Sequence, residues 1–174
     1  MPLIYITGPT ASGKSTICER LRDLGYETYD TDKGGIRHWI DVKTGEPIKA
    51  FQKDEVYDKL WMNEHRLGLP KSWLEKLKVG SNGKLVFVCG TSPIDHSDMG
   101  IYDKIMLLNI DEETLIRRLK TRTNSQYGKK QRQFDNAVKW RQATINRYNQ
   151  LGASEIDANQ PIDEIVNKIL SLAT

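Results

Sequence analysis

Residues 8–15 read Gly-Pro-Thr-Ala-Ser-Gly-Lys-Ser, with two glycines five positions apart and the second followed directly by lysine and serine. Gly8 and Gly13 allow the backbone to adopt positive φ and to approach a ligand closely. Successive N–H groups in such a turn form an anion-binding concavity. Lys14 can then reach the β- and γ-phosphates of a nucleotide, and the Ser15 hydroxyl can ligate Mg²⁺. The segment predicts a site for a nucleoside triphosphate with magnesium.

The flanking sequence supports this interpretation. Residues 3–7 form an apolar run typical of a strand, and residues 14–24 carry apolar side chains at helical spacing. A turn between a strand and a helix is the context that the motif requires, and the helix N-terminus adds about half a positive charge. We expect the nucleotide to contact Gly8, Thr10, Ala11, Ser12, Gly13, Lys14, Ser15 and Thr16.

The remainder of the chain alternates between strand and helix patterns. Residues 47–78 are predicted to be helix-rich and to be interrupted at Pro70. Nearly continuous apolar runs, such as residues 84–89, are typical of parallel strands buried on both faces. The pattern predicts an α/β fold of three layers, a five-stranded parallel sheet with helices on both faces. Strands are expected at 3–7, 27–29, 84–89, 104–110 and 154–157, and further helices from 111, at 135–148 and at 161–172.

Length and composition indicate one soluble globular domain. The chain has 174 residues, of which 38% are hydrophobic and 28% charged, with a net charge of +3. It contains no apolar run of the roughly 20 residues that cross a bilayer, and no signal-peptide pattern, so we expect a cytoplasmic protein. Cys18 and Cys89 have no metal-ligand spacing and are predicted to be reduced core thiols.

Together these features resemble the small P-loop kinases, which include adenylate, other nucleoside monophosphate, shikimate and gluconate kinases. The resemblance rests on GPTASGKST at 8–16, YDTD at 29–32, RRLKTR at 117–122 and EIDANQPIDEIVNKI at 155–169, in matching order. It implies one P-loop kinase-like domain over residues 1–174. Within that domain it implies a small helical acceptor-binding insertion at about 33–80 and a short lid at about 123–133.

The resemblance also implies where the acceptor and the metal bind. Asp30 and Asp32 resemble the Asp-x-Asp of shikimate kinases, whose carboxylates hold the acceptor hydroxyl and help to place Mg²⁺, beside Ser15. The third predicted strand departs from the nucleotide-kinase pattern, because Cys89 stands where those enzymes carry aspartate and no arginine follows closely. Arg37 is a candidate for the missing anion clamp, with an ordinary surface arginine as the alternative. The acceptor pocket is then expected to include Asp32, Arg37, Gly90, Thr91 and Ser92.

Arginines near the lid are the last set of candidates. Arg118 and Arg122 match the R-x-x-x-R that opens the lid in adenylate kinases, and one helical turn puts them on the same face. Arg132 and Arg141 follow the lid, where family members use arginine to neutralise transition-state charge. The expected catalytic set is Lys14, Asp30, Asp32, Arg118, Arg122, Arg132 and Arg141, with Arg118 also contacting the nucleotide.

The leading hypothesis is an ATP- and Mg²⁺-dependent phosphotransferase that moves the γ-phosphoryl group to a small acceptor, either a nucleoside or nucleotide or a sugar or other alcohol. One alternative is a nucleotide-dependent switch or ATPase that regulates a protein partner. Another is a kinase or binder of nucleic acid ends that uses the seven basic residues between 117 and 132. Only Tyr127 is aromatic in that block, which disfavours a base-stacking platform. The sequence itself indicates no particular protein partner.

Overall fold

The computed structural model describes residues 2–33, 35–48, 59–80, 83–92, 100–123 and 128–173. The strands are β1 (Leu3–Thr7), β2 (Glu27–Asp30), β3 (His38–Asp41), β4 (His65–Gly68), β5 (Val86–Cys89), β6 (Lys104–Asn109) and β7 (Ser154–Asp157). The helices are α1 (Lys14–Asp23), α2 (Lys59–Glu64), α3 (Lys71–Gly80), α4 (Glu112–Thr121), α5 (Gln131–Gln150) and α6 (Ile162–Ala173). No described helix is both long enough and apolar enough to span a bilayer.

Five strands form a parallel sheet in the order β2-β5-β1-β6-β7. β1, β5 and the middle of β6 are buried, as their apolar runs predict. Ile4 and Ile6 of β1 pack on one face with residues of α1, α4 and α6, and Leu3 and Tyr5 pack on the other with residues of α3 and α5. This arrangement confirms the three-layer α/β fold with a five-stranded parallel sheet.

The longest helix connects the two faces of the sheet. α5 contributes Ala137 to the core on the α1 side and Ile145 and Tyr148 to the core on the opposite side. Between these positions, Arg141 Nε donates to the carbonyl oxygen of Ile110, just beyond β6, at 2.6 Å. α5 therefore crosses the edge of the sheet at which the parallel strands end. In open α/β sheets this edge is where ligands bind.

The predicted helix-rich segment at 47–78 is partly wrong, because it contains a strand. β4 pairs antiparallel with β3, with His38 opposite Gly68 and Asp41 opposite His65. Trp61 packs edge-on against Trp39 at 4.9 Å between ring centroids and stacks on His65 at 4.3 Å. Strand pairing depends on a partner far away in sequence, so local helical spacing does not reveal it. Residues 49–58 lie outside the described part, and α3 begins directly after Pro70.

The other predicted helix and strand boundaries differ from the observed ones by only a few residues. α5 begins at Gln131, inside the region predicted to be the lid, and residues 124–127 of that region are not among those described. The helix predicted from 111 is observed, and Asp111 caps it by accepting a hydrogen bond from the N–H of Thr114 at 2.6 Å. Cys18 and Cys89 are free and buried, as predicted.

Candidate phosphate-transfer site

The loop between β1 and α1 has the backbone that its glycines predict. Gly13, at the N-cap of α1, has φ 101°, in the region that side chains other than glycine rarely adopt. Gly8 is required for space, because a Cβ there would lie 2.6 Å from the carbonyl oxygen of Leu108 in β6. Ala11, with φ 63°, is the only described residue other than glycine with a positive φ. Such strained backbone is typical of functional sites.

Arg118 holds the strained part of this loop. Its Nη1 lies within hydrogen-bonding distance of two carbonyl oxygens, that of Ala11 at 3.4 Å and that of Ser12 at 3.3 Å. Its Nη2 donates to the carbonyl oxygen of Ala158, just after β7, at 2.8 Å. One guanidinium therefore connects α4, the loop and the end of β7 beside the N-terminus of α1.

Lys14 is folded back over the same loop. Its Nζ donates to the carbonyl oxygens of Gly8 at 2.9 Å and Pro9 at 2.8 Å, and the side chain is buried. Burial lowers the Lys14 pKa to about 8, against the opposing effect of the Asp32 and Asp30 carboxylates. Because the buried Lys14 ammonium has lost hydration, an anion placed beside it would strongly stabilise its charged form.

A cleft of about 1080 Å³ extends from this loop across the strand ends. It is large enough for a nucleotide together with a second small molecule. Among the described residues its wall is strongly basic, because seven lysines and arginines line it and Asp32 is the one carboxylate. The seven are Lys14, Lys33, Arg37, Arg118, Arg122, Arg141 and Arg147. This charge balance suits a polyanionic ligand.

The carboxyl ends of β2 and β5 form the other end of the cleft. Asp32 Oδ1 accepts a hydrogen bond from Thr91 Oγ1 at 2.9 Å and from the Thr91 N–H at 3.3 Å. Arg37 Nη1 lies 3.6 Å from the same oxygen. Asp32, Arg37 and Thr91 all line the cleft, as the sequence led us to expect of an acceptor pocket.

Asp30 lies deeper than Asp32 and does not line the cleft. Its Oδ1 accepts the N–H of Asp32 at 3.1 Å, which fixes the turn that carries Asp32. Its Oδ2 is buried, accepts no hydrogen bond within the described part of the chain, and lies 4.0 Å from Lys33 Nζ. A buried carboxylate oxygen without a hydrogen-bond donor is suited to a bound water or to a metal-bound water.

Gly90 and Ser92 support the pocket from behind and do not line it. A Cβ on Gly90 would lie 1.9 Å from Thr31 Oγ1, so only glycine fits there. Ser92 is buried, and its carbonyl oxygen is within hydrogen-bonding distance of two phenols, that of Tyr5 at 3.0 Å and that of Tyr148 at 3.1 Å. Burial raises the pKa of both tyrosines, which keeps them protonated as donors.

The structure places three of the four candidate arginines on the wall of the cleft. Arg118, Arg122 and Arg141 line the cleft, whereas Arg132 is exposed on the first turn of α5 and is not among the lining residues. Residues 8–16, which include Thr10, Ser15 and Thr16 and were predicted to contact the nucleotide, all line the cleft. Gln160, within the segment 155–169 that contributes to the resemblance, lines it as well.

Sequence reasoning missed one face of α5. Trp140, Thr144, Arg147 and Tyr148 line the cleft together with Ala137 and Arg141. These positions recur at three- and four-residue intervals, which is the spacing of one helical face. That periodicity was present in the sequence, but nothing local showed that this face borders a ligand site.

The described side chains do not by themselves form a complete set of metal ligands. The described residues contain no group of three or more His, Cys, Asp or Glu side chains placed for that purpose. Mg²⁺ is bound differently, through one or two protein oxygens together with waters and substrate phosphates. Ser15, which lines the cleft, and the Asp30 and Asp32 carboxylates fit that requirement.

Comparison with known proteins gives one family and a set of related folds. A family model described as an AAA domain matches residues 4–141. Among curated protein sequences, none matches the chain. A solved structure of deoxyadenosine kinase from M. mycoides covers 98% of this chain and 97% of its own, at 17% identity and a TM-score of 0.56.

Two further solved structures are similar to the same extent. Shikimate kinase from Acinetobacter baumannii, in complex with shikimate, is 23% identical over 99% of this chain and 92% of its own, with a TM-score of 0.53. A gluconokinase from Sinorhizobium meliloti is 18% identical over 99% of this chain and 93% of its own, also at 0.53. The fold is that of the small P-loop kinases.

Proposed function

Because the chain belongs to the AAA domain family and has the nucleotide-binding P-loop fold of the small kinases, we propose that it transfers the γ-phosphoryl group of ATP to a small acceptor. The observation that carries this proposal is one continuous cleft with Lys14 on one side and the linked pair Asp32 and Thr91 on the other. A simple nucleotide switch needs only the side of the cleft that contains Lys14. A phosphotransferase needs both, since donor and acceptor must meet in one cavity.

The donor half of the site is suited to ATP. The backbone N–H groups of residues 10–15 and the N-terminus of α1 bind the β- and γ-phosphates, and Lys14 leaves the Gly8 and Pro9 carbonyls to join them. Arg118, which already contacts the loop, and Arg122, one turn further along α4, add positive charge from the side. Arg141, positioned by the Ile110 carbonyl, faces the same phosphates and stabilises the charge that develops during transfer.

The acceptor half performs the proton transfer. A hydroxyl or phosphate oxygen of the acceptor attacks the γ-phosphorus, and the bond from that phosphorus to the β–γ bridging oxygen breaks, so that ADP leaves with the electron pair. For a hydroxyl acceptor, the Asp32 carboxylate orients the attacking group and takes its proton, which then passes to solvent. Thr91 and Arg37 fix the Asp32 carboxylate, and Asp30 fixes the backbone beneath it.

Magnesium fits this arrangement without a dedicated protein cage. When bound, Mg²⁺ neutralises phosphate charge and orients the γ-phosphoryl group for displacement. Ser15 would supply a hydroxyl ligand, and the Asp30 and Asp32 carboxylates would hold metal-bound waters. The Asp30 Oδ2 atom, buried and without a hydrogen bond from the described residues, is the group that most needs such a partner.

The test is an acceptor panel with ATP and Mg²⁺. ADP release and the mass of the phosphorylated product are measured for nucleosides, nucleoside monophosphates, sugars, sugar acids and hydroxy acids. The proposal predicts that one class stimulates ATP consumption at least about tenfold over the rate without acceptor. Slow hydrolysis that no acceptor stimulates would instead support the nucleotide-switch alternative and contradict the kinase.

An oligonucleotide arm tests the nucleic acid alternative. The basic block does not form one continuous surface, because Arg118 and Arg122 line the cleft whereas Arg117 turns to Thr114 on its own helix. We therefore expect no stimulation by single-stranded or duplex ends. A steep loss of activity with salt, together with oligonucleotide phosphorylation, would favour that alternative.

A further inference from the structure

We infer that Tyr148 is a positioning residue for phosphoryl transfer, whose hydroxyl fixes Arg141 on α5 relative to the Asp32 carboxylate at the other end of the cleft. This inference rests on the proposed function and adds a residue to it. The evidence is a pair of hydrogen bonds that attach one face of α5 to the ends of two different strands, β6 and β5.

α5 has two attachment points at the strand ends. Arg141 Nε donates to the carbonyl oxygen of Ile110, just after β6, at 2.6 Å. Tyr148 Oη donates to the carbonyl oxygen of Ser92, beyond β5, at 3.1 Å. Tyr148 follows Arg141 by seven positions, which is close to two full helical turns, so both side chains leave the same face of α5.

The spacing of the attachment points along α5 matches the spacing of the strands. A helix rises about 1.5 Å per residue, so Arg141 and Tyr148 are about 10 Å apart along the helix axis. β5 and β6 pair with β1 from opposite sides. Neighbouring strands lie about 4.8 Å apart, which puts β5 and β6 roughly 10 Å from each other. α5 therefore crosses from β6 to β5 past the end of β1, where the phosphate loop begins.

The carbonyl group of Ser92 is also held from the centre of the sheet. Tyr5 Oη, in β1, lies 3.0 Å from the same carbonyl oxygen and 3.1 Å from that of Gly90. A carbonyl oxygen has two lone pairs and can accept from both phenols. Burial raises the pKa of both tyrosines, so both remain donors. Tyr5 thus ties the segment around Thr91 to β1, and Tyr148 ties α5 to that segment.

The reacting groups of the two halves therefore have separate supports. Asp32 is fixed to the end of β5 through Thr91, at 2.9 Å, whereas Arg141 belongs to α5. Without the Tyr148 hydroxyl, only the Ile110 hydrogen bond of the two attachments is left, and α5 can shift relative to β5. Phosphoryl transfer requires donor and acceptor groups in fixed geometry, and a displacement of about 1 Å can lower the rate about 100-fold.

The kinetic test is a double-mutant cycle with Arg141. Tyr148→Phe keeps the buried ring, whose centroid lies 6.4 Å from that of Tyr5, and removes only the hydroxyl. With ATP and the best acceptor it should lower kcat about 10- to 100-fold. The KM for ATP should change less than about threefold, because the phosphate loop is untouched. In an Arg141→Gln background the same change should lower kcat less than about threefold, since the group that Tyr148 positions is already absent.

Tyr5→Phe is the matched control. It removes the other phenol from the Ser92 carbonyl but leaves α5 attached. The two variants should lose similar stability in urea, and Tyr5→Phe should lower kcat by the same factor with and without Arg141. Multiplicative effects of Tyr148→Phe and Arg141→Gln would overturn the inference. So would an effect of Tyr148→Phe on kcat no larger than that of Tyr5→Phe.

Hydrogen exchange reports the attachment of α5 without turnover. Amides of residues 144–150 should exchange about 5- to 10-fold faster in Tyr148→Phe than in wild type or Tyr5→Phe, because one hydrogen bond that holds this part of α5 is lost. Equal exchange in all three proteins would contradict the positioning role alone. An acceptor panel in which nothing stimulates ATP consumption would contradict the proposed function and, with it, the role of Tyr148 in transfer.

Discussion

Thr91 Oγ1 donates to Asp32 Oδ1 at 2.9 Å, which joins the carboxyl ends of β2 and β5 within the cleft that also contains Lys14. The hydrogen bond crosses 59 positions of sequence. It leaves Asp32 with a fixed orientation toward the space between the phosphate loop and α5. Positioning of this kind is what a proton acceptor for an attacking hydroxyl requires.

Replacing that carboxylate tests its role directly. For a hydroxyl acceptor, Asp32→Asn is expected to lower kcat about 10²- to 10⁴-fold, because the amide can still accept from Thr91 but cannot take a proton. The KM for ATP should change little, since the phosphate loop is untouched. Steady-state kinetics with the best acceptor measures both. Asp23→Asn, at the exposed end of α1, is the control, and equal activity in the two variants would remove Asp32 from the mechanism.

The second prediction concerns the lysine of the loop. Lys14→Met keeps the buried stem but removes the ammonium, so turnover should fall by at least about 10³-fold through lost phosphate stabilisation. The far-UV circular dichroism spectrum should remain that of wild type, because the charge itself adds nothing to the core. Substantial activity in a folded Lys14→Met protein would refute the assignment of the loop.

The lowered Lys14 pKa of about 8 predicts a particular pH profile. Before ATP binds, Lys14 loses its proton as pH rises past about 8, and a neutral amine attracts the γ-phosphate less. The value of kcat/KM for ATP, which reports the free enzyme, should therefore fall above about pH 8 with a limiting slope near −1 on logarithmic axes. A flat profile to pH 9.5 would contradict the pKa and its structural cause.

The lowered Lys14 pKa also affects the free energy of unfolding, which should rise with pH where the activity falls. Between about pH 8 and the ordinary lysine value of 10.5, the unfolded chain holds a proton that the folded chain has lost. Wild type should therefore gain stability relative to Lys14→Met as pH rises through this window. Urea denaturation of both proteins at pH 7.5 and pH 10 measures the difference between their free energies of unfolding. If that difference is the same at both pH values, the lowered Lys14 pKa is contradicted.

Another prediction separates two adjacent arginines of α4. Arg118→Gln should raise the KM for ATP about 10- to 100-fold, since Arg118 holds the Ala11 and Ser12 carbonyls and lines the cleft proposed to bind ATP. Arg117→Gln should behave as wild type, because Arg117 is exposed, does not line the cleft and donates to Thr114 on its own helix. Initial-rate measurements at varied ATP distinguish them. Similar KM values for the two variants would contradict the role given to Arg118.

The last prediction tests the tight approach of β5 to the turn after β2. Gly90→Ala places a Cβ 1.9 Å from Thr31 Oγ1, so backbone or side chain must move. We expect a loss of about 1–3 kcal/mol in the free energy of unfolding, the usual cost of overpacking. Gly80→Ala, which has no described atom within 4 Å of its Cβ, is the control and should be neutral. Thermal melts of both report the result.

Part of this protein was predictable because the responsible chemistry is local. The loop at 8–15 and its flanking strand and helix were identified correctly, since glycine conformations, a lysine and a helix N-terminus act within one stretch of chain. The apolar runs of β5 and β6 indicated buried parallel strands for the same reason. Asp32, Arg37 and Thr91 were named from the resemblance and do line the cleft.

Other features depend on partners that are distant in sequence. β4 was assigned to a helix-rich region because its pairing with β3 has no local signature. Arg132 was predicted to be catalytic and Arg147 was not named, yet the path of α5 across the sheet edge places Arg147 on the cleft wall and Arg132 outside it. Gly90 and Ser92 were expected in the pocket, but packing against Thr31 and the two tyrosines puts them behind it.

The amino-acid sequence by itself determined the phosphate-binding loop, the strand and helix around it and the apolar runs that become buried parallel strands, because each depends on the residues of one stretch of chain. The tertiary structure alone decided which arginines face the cleft and how Asp32 is oriented. Those features depend on contacts such as Thr91 with Asp32 and Tyr148 with Ser92, which form only when packing of the core brings separate strands and α5 to the same edge.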